Sequence, residues 1–150
     1  MPKRRGSIVV VIDTNIFVRN FLTRSRRSPN RLVVRSWLVE RKFKLALSDA
    51  IKEEYLRVFE EVLGFDGEKL AGWRKRFGDK RIAKTIGVGT STLSRDPEDN
   101  VFIATAIAAK AKFLVTNDYD LLDIADAEKR SLRFDIVKPE QFLKLLESFD

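Results

Sequence analysis

The chain has 150 residues, 44% hydrophobic and 34% charged, with a net charge of +7, which indicates one folded globular domain rather than a disordered chain. It contains no Cys and no His, which excludes a disulfide framework, a thiolate zinc site and catalysis through imidazole or thiol, and suits a reducing cytosol. No stretch approaches the roughly 18 apolar residues of a membrane span, and the basic tail over residues 1–7 leads into a short strand rather than a signal-peptide apolar region.

Ile8–Ile12 is β-branched throughout and too short for a helix, so it reads as a buried parallel strand. Ile16–Leu22 has helical character, and residues 24–30 form a basic loop interrupted by Pro29. Asn30 is a candidate cap for a helix over Arg31–Arg41. Phe43–Leu47 reads as a second strand, and Ser48 or Asp49 caps a helix running to Leu63, where Gly64 and Gly67 break it. Glu68–Phe77 is a further helix around Trp73. A short strand is expected near Ile82–Val88, then a helix over Pro97–Lys110 and a strand over Lys112–Thr116. The chain closes with a short helix over Tyr119–Asp123, a strand over Arg133–Val137, and a helix over Pro139–Ser148 with Pro at its first position. Strands alternating with helices predict a parallel sheet with right-handed crossovers, a three-layer α/β domain.

The charge is uneven. Residues 1–50 hold 12 Lys/Arg against 3 Asp/Glu, a net of +9, whereas residues 51–150 hold 17 against 19, a net of −2. A basic face beside an acidic pocket suits a polyanionic substrate, with phosphates gathered on one side and a metal held on the other. Acidic residues cluster at Asp13, at Glu53-Glu54, at Asp96-Pro97-Glu98-Asp99 and at Asp118-Tyr119-Asp120. Clustered carboxylates without His or Cys favour hard divalent cations, above all Mg²⁺ or Mn²⁺.

Helical geometry selects among these acids. Counting about 100° per residue from Ile51, the apolar stripe carries Tyr55, Val58, Phe59 and Val62; Glu53 falls at about 200°, toward solvent, and Glu54 at about 300°, beside the stripe. In the helix beginning at Pro97, Asp99 lies on the stripe of Phe102, Ile103, Ala106 and Ile107, where a carboxylate needs a cation or several hydrogen bonds. Asp96-Pro97-Glu98-Asp99 equally fits a helix start, with Asp96 as cap, Pro at the first position and acids in the first turn. Asp118 follows its strand as Asp13 follows Ile8–Ile12, so neighbouring strands would bring both acids to one sheet edge. Thr116 and Asn117 can instead cap the short helix, which leaves Asp118 as a first-turn acid, with Asp120 the more exposed candidate. Arg19, Arg24, Arg26, Arg27 and Arg31 are candidates for gripping a nucleic-acid backbone. Trp37, Trp73 and the Phe residues are expected in the core.

The succession Asp13-Thr14-Asn15, Glu54 on the next long helix, Asp96-Pro97-Glu98-Asp99 before an alanine-rich helix, and Val115-Thr116-Asn117-Asp118-Tyr119-Asp120-Leu121-Leu122 resembles the PIN domain family over about Ile8 to Phe142. Arg95–Asn100 and Val137-Lys138-Pro139-Glu140-Gln141-Phe142 resemble the toxin branch of that family. The resemblance implies a Rossmann-like sheet of about five parallel strands in a single nuclease domain. It also implies RNA phosphodiester hydrolysis dependent on one or two Mg²⁺ or Mn²⁺ ions. Carried onto this chain, the acidic quartet is Asp13, Glu54, Asp99 and Asp118, with Asp96 and Asp120 as outer acids and Asn15 and Thr116 ordering the site. Aligning Ile103-Ala104 with the family pattern places Asn100 in the third acidic slot, whereas the helical wheel places Asp99 there. The toxin branch further implies an antitoxin partner and a homodimer. Two other readings stand beside it: a maturation or decay nuclease without an antitoxin, and a nucleic-acid-binding module whose acids are structural. A haloacid-dehalogenase-like phosphatase needs an Asp two residues after the first, where this chain has Asn15.

Overall fold

The computed structural model describes residues 7–87, 97–128 and 132–149. Its elements follow the order β1 (Val9–Ile12), α1 (Thr14–Leu22), α2 (Pro29–Leu38), β2 (Lys44–Leu47), α3 (Asp49–Glu61) and α4 (Gly67–Phe77). Then come β3 (Ala83–Thr85), α5 (Pro97–Ala109), β4 (Phe113–Val115), α6 (Tyr119–Glu128), β5 (Asp135–Val137) and α7 (Pro139–Glu147). The strands form one parallel sheet in the order β3-β2-β1-β4-β5. The chain thus builds outward from β1 in one direction through β2 and β3, then returns to place β4 on the other side of β1. That reversal makes a crevice at the carboxyl ends of β1 and β4, the position where open α/β sheets bind ligands.

The strands are buried on both faces. Val10, Val11, Ile12, Leu45, Ala46, Leu47, Leu114 and Val115 are fully buried, and successive residues on a strand face opposite sides. Both sides of the sheet are therefore covered, which is the three-layer arrangement expected from the uninterrupted apolar runs. Among the described residues no helix is long and apolar enough to cross a membrane.

Local chemistry explains most element boundaries and corrects several expectations. Ser48 caps α3 by accepting the Ile51 N–H at 3.3 Å, and Gly64, at φ +69°, turns the chain after it. Gly67 is not a breaker: Asp66 caps α4 through the Lys69 N–H at 2.9 Å, and Gly67 becomes its first residue. The cap of α2 is Ser28, with Pro29 at the first position, so Asn30 does not cap that helix. Its side chain is used elsewhere, as described below. α1 begins at Thr14, two residues earlier than expected, and α6 runs to Glu128 rather than ending at Asp123. β3 is only Ala83–Thr85, and Val88 lies outside the described residues.

Beside the sheet lies an aromatic core. Phe17 of α1 sits with its ring centroid 4.8 Å from Tyr55, 5.8 Å from Phe59 and 5.9 Å from Trp37, with Trp73 and Phe77 just beyond. Most of these contacts are tilted or edge-on, the arrangement favoured by ring quadrupoles. Trp37 also donates its indole N–H to the Ile82 carbonyl at 2.7 Å, tying α2 to the entrance of β3. The aromatic residues in this cluster are core, as expected. Because Phe17 joins rings from α2, α3 and α4, Phe17→Ala should lower the unfolding free energy by about 3–5 kcal/mol. Phe17→Leu should cost about half as much or less. Urea denaturation of the two variants measures both.

Candidate active site

The site is assembled from the last hydrogen bonds of the sheet. Parallel pairing sets Ile12 beside Val115, and the Asp13 N–H continues the ladder by donating to the Val115 carbonyl at 2.9 Å. The two chains then diverge into helices. Asp13 stays extended, with φ −63° and ψ 144°, at the start of α1, and its carboxylate makes no capping bond there. It accepts instead from the Thr116 hydroxyl, Oγ1 to Oδ2, at 2.6 Å. The same hydroxyl oxygen accepts the Asp118 N–H at 2.9 Å. One fully buried threonine therefore sets the position of both acids.

Asp118 is itself the cap of α6. Its Oδ1 accepts the Asp120 N–H at 2.9 Å and its carbonyl accepts the Leu122 N–H at 3.1 Å. Thr116 and Asn117 do not serve as that cap. From α3, Glu54 reaches the same place, and its Oε2 accepts the Thr14 hydroxyl at 2.5 Å. The next residue, Tyr55, is fully buried and donates its hydroxyl to the Ile12 carbonyl, fixing the strand end immediately before Asp13. Burial, reinforced by the charges of Asp13 and Glu54, pushes the Tyr55 phenol well above its ordinary range, so it serves as a neutral donor.

Asp13, Glu54 and Asp118 line one cleft of about 300 Å³, together with Thr14, Asn15 and Arg57 and an apolar wall of Val18, Val58, Val62 and Phe102. Asp13 is only 6% exposed. Burial raises its pKa, the Thr116 hydroxyl and the Asn15 backbone N–H oppose that, and the charges of Asp118 and Glu54 push it higher still. Among the described residues these acids make no ion pair, Arg57 of the same cleft being paired with Glu61 instead, and every side-chain donor they offer is a hard oxygen, the preference of Mg²⁺ and Mn²⁺. Among the described residues no group of three acids stands close enough to hold one ion. That still fits Mg²⁺, which is ordinarily held by one or two carboxylates, with water and phosphate oxygens completing its shell.

Other candidates fall in different places. Glu53 is exposed on α3 and pairs with Arg74 at 3.6 Å, as its position on the wheel requires. Asp120 is exposed and does not line the cleft; its backbone N–H is what bonds Asp118. Asn15 is exposed and lines the cleft, and its backbone N–H bonds the Asp13 carboxylate. Asp96 lies outside the described residues. Position 99 is in the first turn of α5, one turn before Phe102 of the cleft wall, and Asn100 follows it. Arg19, Arg24, Arg26, Arg27 and Arg31 are exposed and do not line the cleft. The Asn117 amide donates to the Asn30 side-chain oxygen at 2.8 Å, which joins the end of the basic loop to the segment carrying Asp118.

Sequence reasoning missed Thr14, Tyr55, Arg57 and the Asn30–Asn117 bond. Arg57 was open to detection, because it lies one helical turn from Glu54 on α3. The others bond residues more than 40 positions away or in another element, and no local pattern signals that.

Asp13 makes the site costly to fold. Its carboxyl binds a proton more tightly in the folded chain than in the unfolded one. The Asp13 contribution to stability in chelator is therefore fully present below the ordinary Asp range near 3.9 and is lost as pH rises through its raised folded value, so wild type should lose stability relative to Asp13→Asn over that rise. Asp13→Asn keeps an acceptor for Thr116 and removes the charge. It should raise the melting temperature in EDTA at neutral pH, and the gain should shrink toward pH 4. Scanning calorimetry of both proteins from pH 4 to 8 reads the effect.

No curated protein sequence matches the chain. A family model, the PIN domain, matches residues 9–120, from the first residue of β1 to just past Asp118, and so spans the strand pair, α3 and the loop that build the cleft. PIN domains are in general nucleases and typically use divalent metals. By that match and by the sheet order that carries it, the chain belongs to the PIN domain family.

Proposed function

We propose that this protein is a ribonuclease dependent on Mg²⁺ or Mn²⁺, in which Asp13, Glu54, Asp118 and Asp99 hold one or two ions against an RNA phosphodiester. The observation that carries this reading is the convergence of Asp13, Glu54 and Asp118, from three separate elements, on one cleft at the switch point of the sheet. Asp99 is included from its position on α5, and Asp96 and Asp120 are assigned as outer acids.

Asp13, Glu54, Asp118 and Asp99 would hold the divalent ion, which when bound would supply Lewis-acid chemistry: an activated water and compensation for charge on the departing oxygen. The chain's own residues prepare that chemistry. Thr116 holds Asp13 and Asp118 in register, and Thr14 bonds one of the two Glu54 oxygens. Tyr55 closes the floor beneath Asp13 without offering a charge. Arg19, Arg24, Arg26, Arg27 and Arg31 attract the RNA backbone, and the Asn30–Asn117 bond ties the first turn of α2, where the basic segment ends, to the segment bearing Asp118.

The toxin role, an antitoxin partner and a homodimer belong to the same proposal. They are supported by the likeness of residues 95–100 and 137–142 to the toxin branch, and a cytoplasmic setting is supported by the lack of Cys. The test is cleavage of end-labelled single-stranded RNA in Mg²⁺, Mn²⁺ and EDTA by wild type, Asp13→Asn and Asp118→Asn. Cutting should require metal and fall by at least about 100-fold in either variant, the scale expected when a metal-based mechanism loses an essential ligand. RNA binding that survives EDTA with no cutting by folded wild type would overturn the nuclease and favour a binding module. Growth arrest on expression, lost in Asp13→Asn, distinguishes the toxin from a maturation nuclease.

A further inference from the structure

Three acids facing one cleft repel the polyanion they are meant to cut, so a cation is needed close to them. Arg57 is the one cationic residue among the described residues lining the cleft. It stands one turn beyond Glu54 on α3, and Val58 and Val62 continue the same side of the helix into the cleft wall. We propose that Arg57 and this apolar wall form a substrate subsite: the guanidinium takes a phosphate next to the one being cut, and the wall takes the attached ribose or base. This rests on the nuclease reading of the cleft and assigns a place where a single-stranded polynucleotide is held.

The present partner of Arg57 is easily exchanged. One guanidinium nitrogen lies 3.1 Å from Oε2 of Glu61, with side chains 54% and 60% exposed. Such exposed pairs at this helical spacing hold weakly. Glu61 does not line the cleft, so the pair holds Arg57 at the rim with donors to spare. A phosphate matches the planar fork of a guanidinium in two parallel hydrogen bonds, which a single contact to Glu61 does not. Val18 of α1, Val58, Val62 and Phe102 then offer an apolar surface beside that phosphate. A fully paired duplex keeps its bases stacked inside, whereas a single strand can lay one against such a wall.

The test is the salt dependence of RNA cleavage by the full-length wild type, Arg57→Ala, Arg57→Lys and Glu61→Gln. Arg57→Ala should lower kcat/KM by about 10–100-fold, with a log–log salt slope shallower by about 0.7, the loss of one phosphate contact on a single strand. Arg57→Lys should keep the slope and recover only part of the rate, because an ammonium lacks the fork. Glu61→Gln should lower KM about two- to threefold by freeing the guanidinium. Melting temperatures should stay within about 2 °C, as expected for exposed positions. Equal kcat/KM and slope in wild type and Arg57→Ala would overturn the subsite, as would a rate loss with unchanged slope. Anisotropy of labelled RNA in EDTA and in Ca²⁺ reads the same slope without cutting. A wild type that binds with an Arg57-dependent slope yet never cuts would overturn the nuclease alone, and one that neither binds nor cuts would overturn both.

Discussion

The bridge made by the Thr116 hydroxyl is the contact on which the site depends. It donates to Asp13 and accepts from the backbone of Asp118, and it can do both only because β1 and β4 pair in parallel with Ile12 beside Val115. A one-residue slip would turn every strand side chain to the opposite face. It would exchange the side chains packed on the two covered faces of β1 and shift Asp13 relative to Asp118. The same core packing that fixes the register therefore fixes the distance between two carboxylates. No additional scaffold is needed to hold the charges together, because the hydrophobic burial of both strands already does so.

Beneath that charged layer the protein places aromatic rings. Tyr55 belongs to both: its ring stacks among Phe17, Phe59 and Phe77, and its hydroxyl bonds the Ile12 carbonyl. Rigid rings with few rotamers make a firm floor, so Glu54, one residue earlier on α3, inherits a fixed position. Thr14 completes the arrangement by joining the first turn of α1 to Glu54. The helices that cover the sheet are thereby tied to the edge where the acids lie. The charge repulsion stored around Asp13 is sustained by this packing, a common pattern where binding geometry opposes folding stability.

The rim is organised differently. Arg57 and the arginines between positions 24 and 31 are exposed, and the pair that Arg57 makes with Glu61 is of the weak, solvent-screened kind. Asn30 and Asn117 connect that exposed segment to the one bearing Asp118 through a hydrogen bond. A buried centre that holds geometry and an exposed rim that adapts is a consistent division of labour for a polyanionic substrate.

Much of this was legible in the residues themselves. The β-branched run ending on Asp13 and the alternation of strands with helices specify a parallel sheet, because only fully covered strands tolerate unbroken apolar sequence. Helical periodicity separated Glu54 from Glu53 for the same reason: burial follows the 3.6-residue repeat. Local signals also misled. Asn30 and Gly67 match the patterns of a cap and a breaker, yet Ser28 holds the cap position of α2 and the Asp66 side chain caps α4. Each residue could play either role, and the choice between them lay in the surrounding chain. What only the tertiary structure decided is which distant residues meet: β1 beside β4, Thr116 between two acids, Thr14 on Glu54, Asn117 on Asn30. Those pairings depend on strand order and register, which arise from the packing of the whole core. Sequence determines the chemistry available at each position, and the fold determines which of those groups share a cleft.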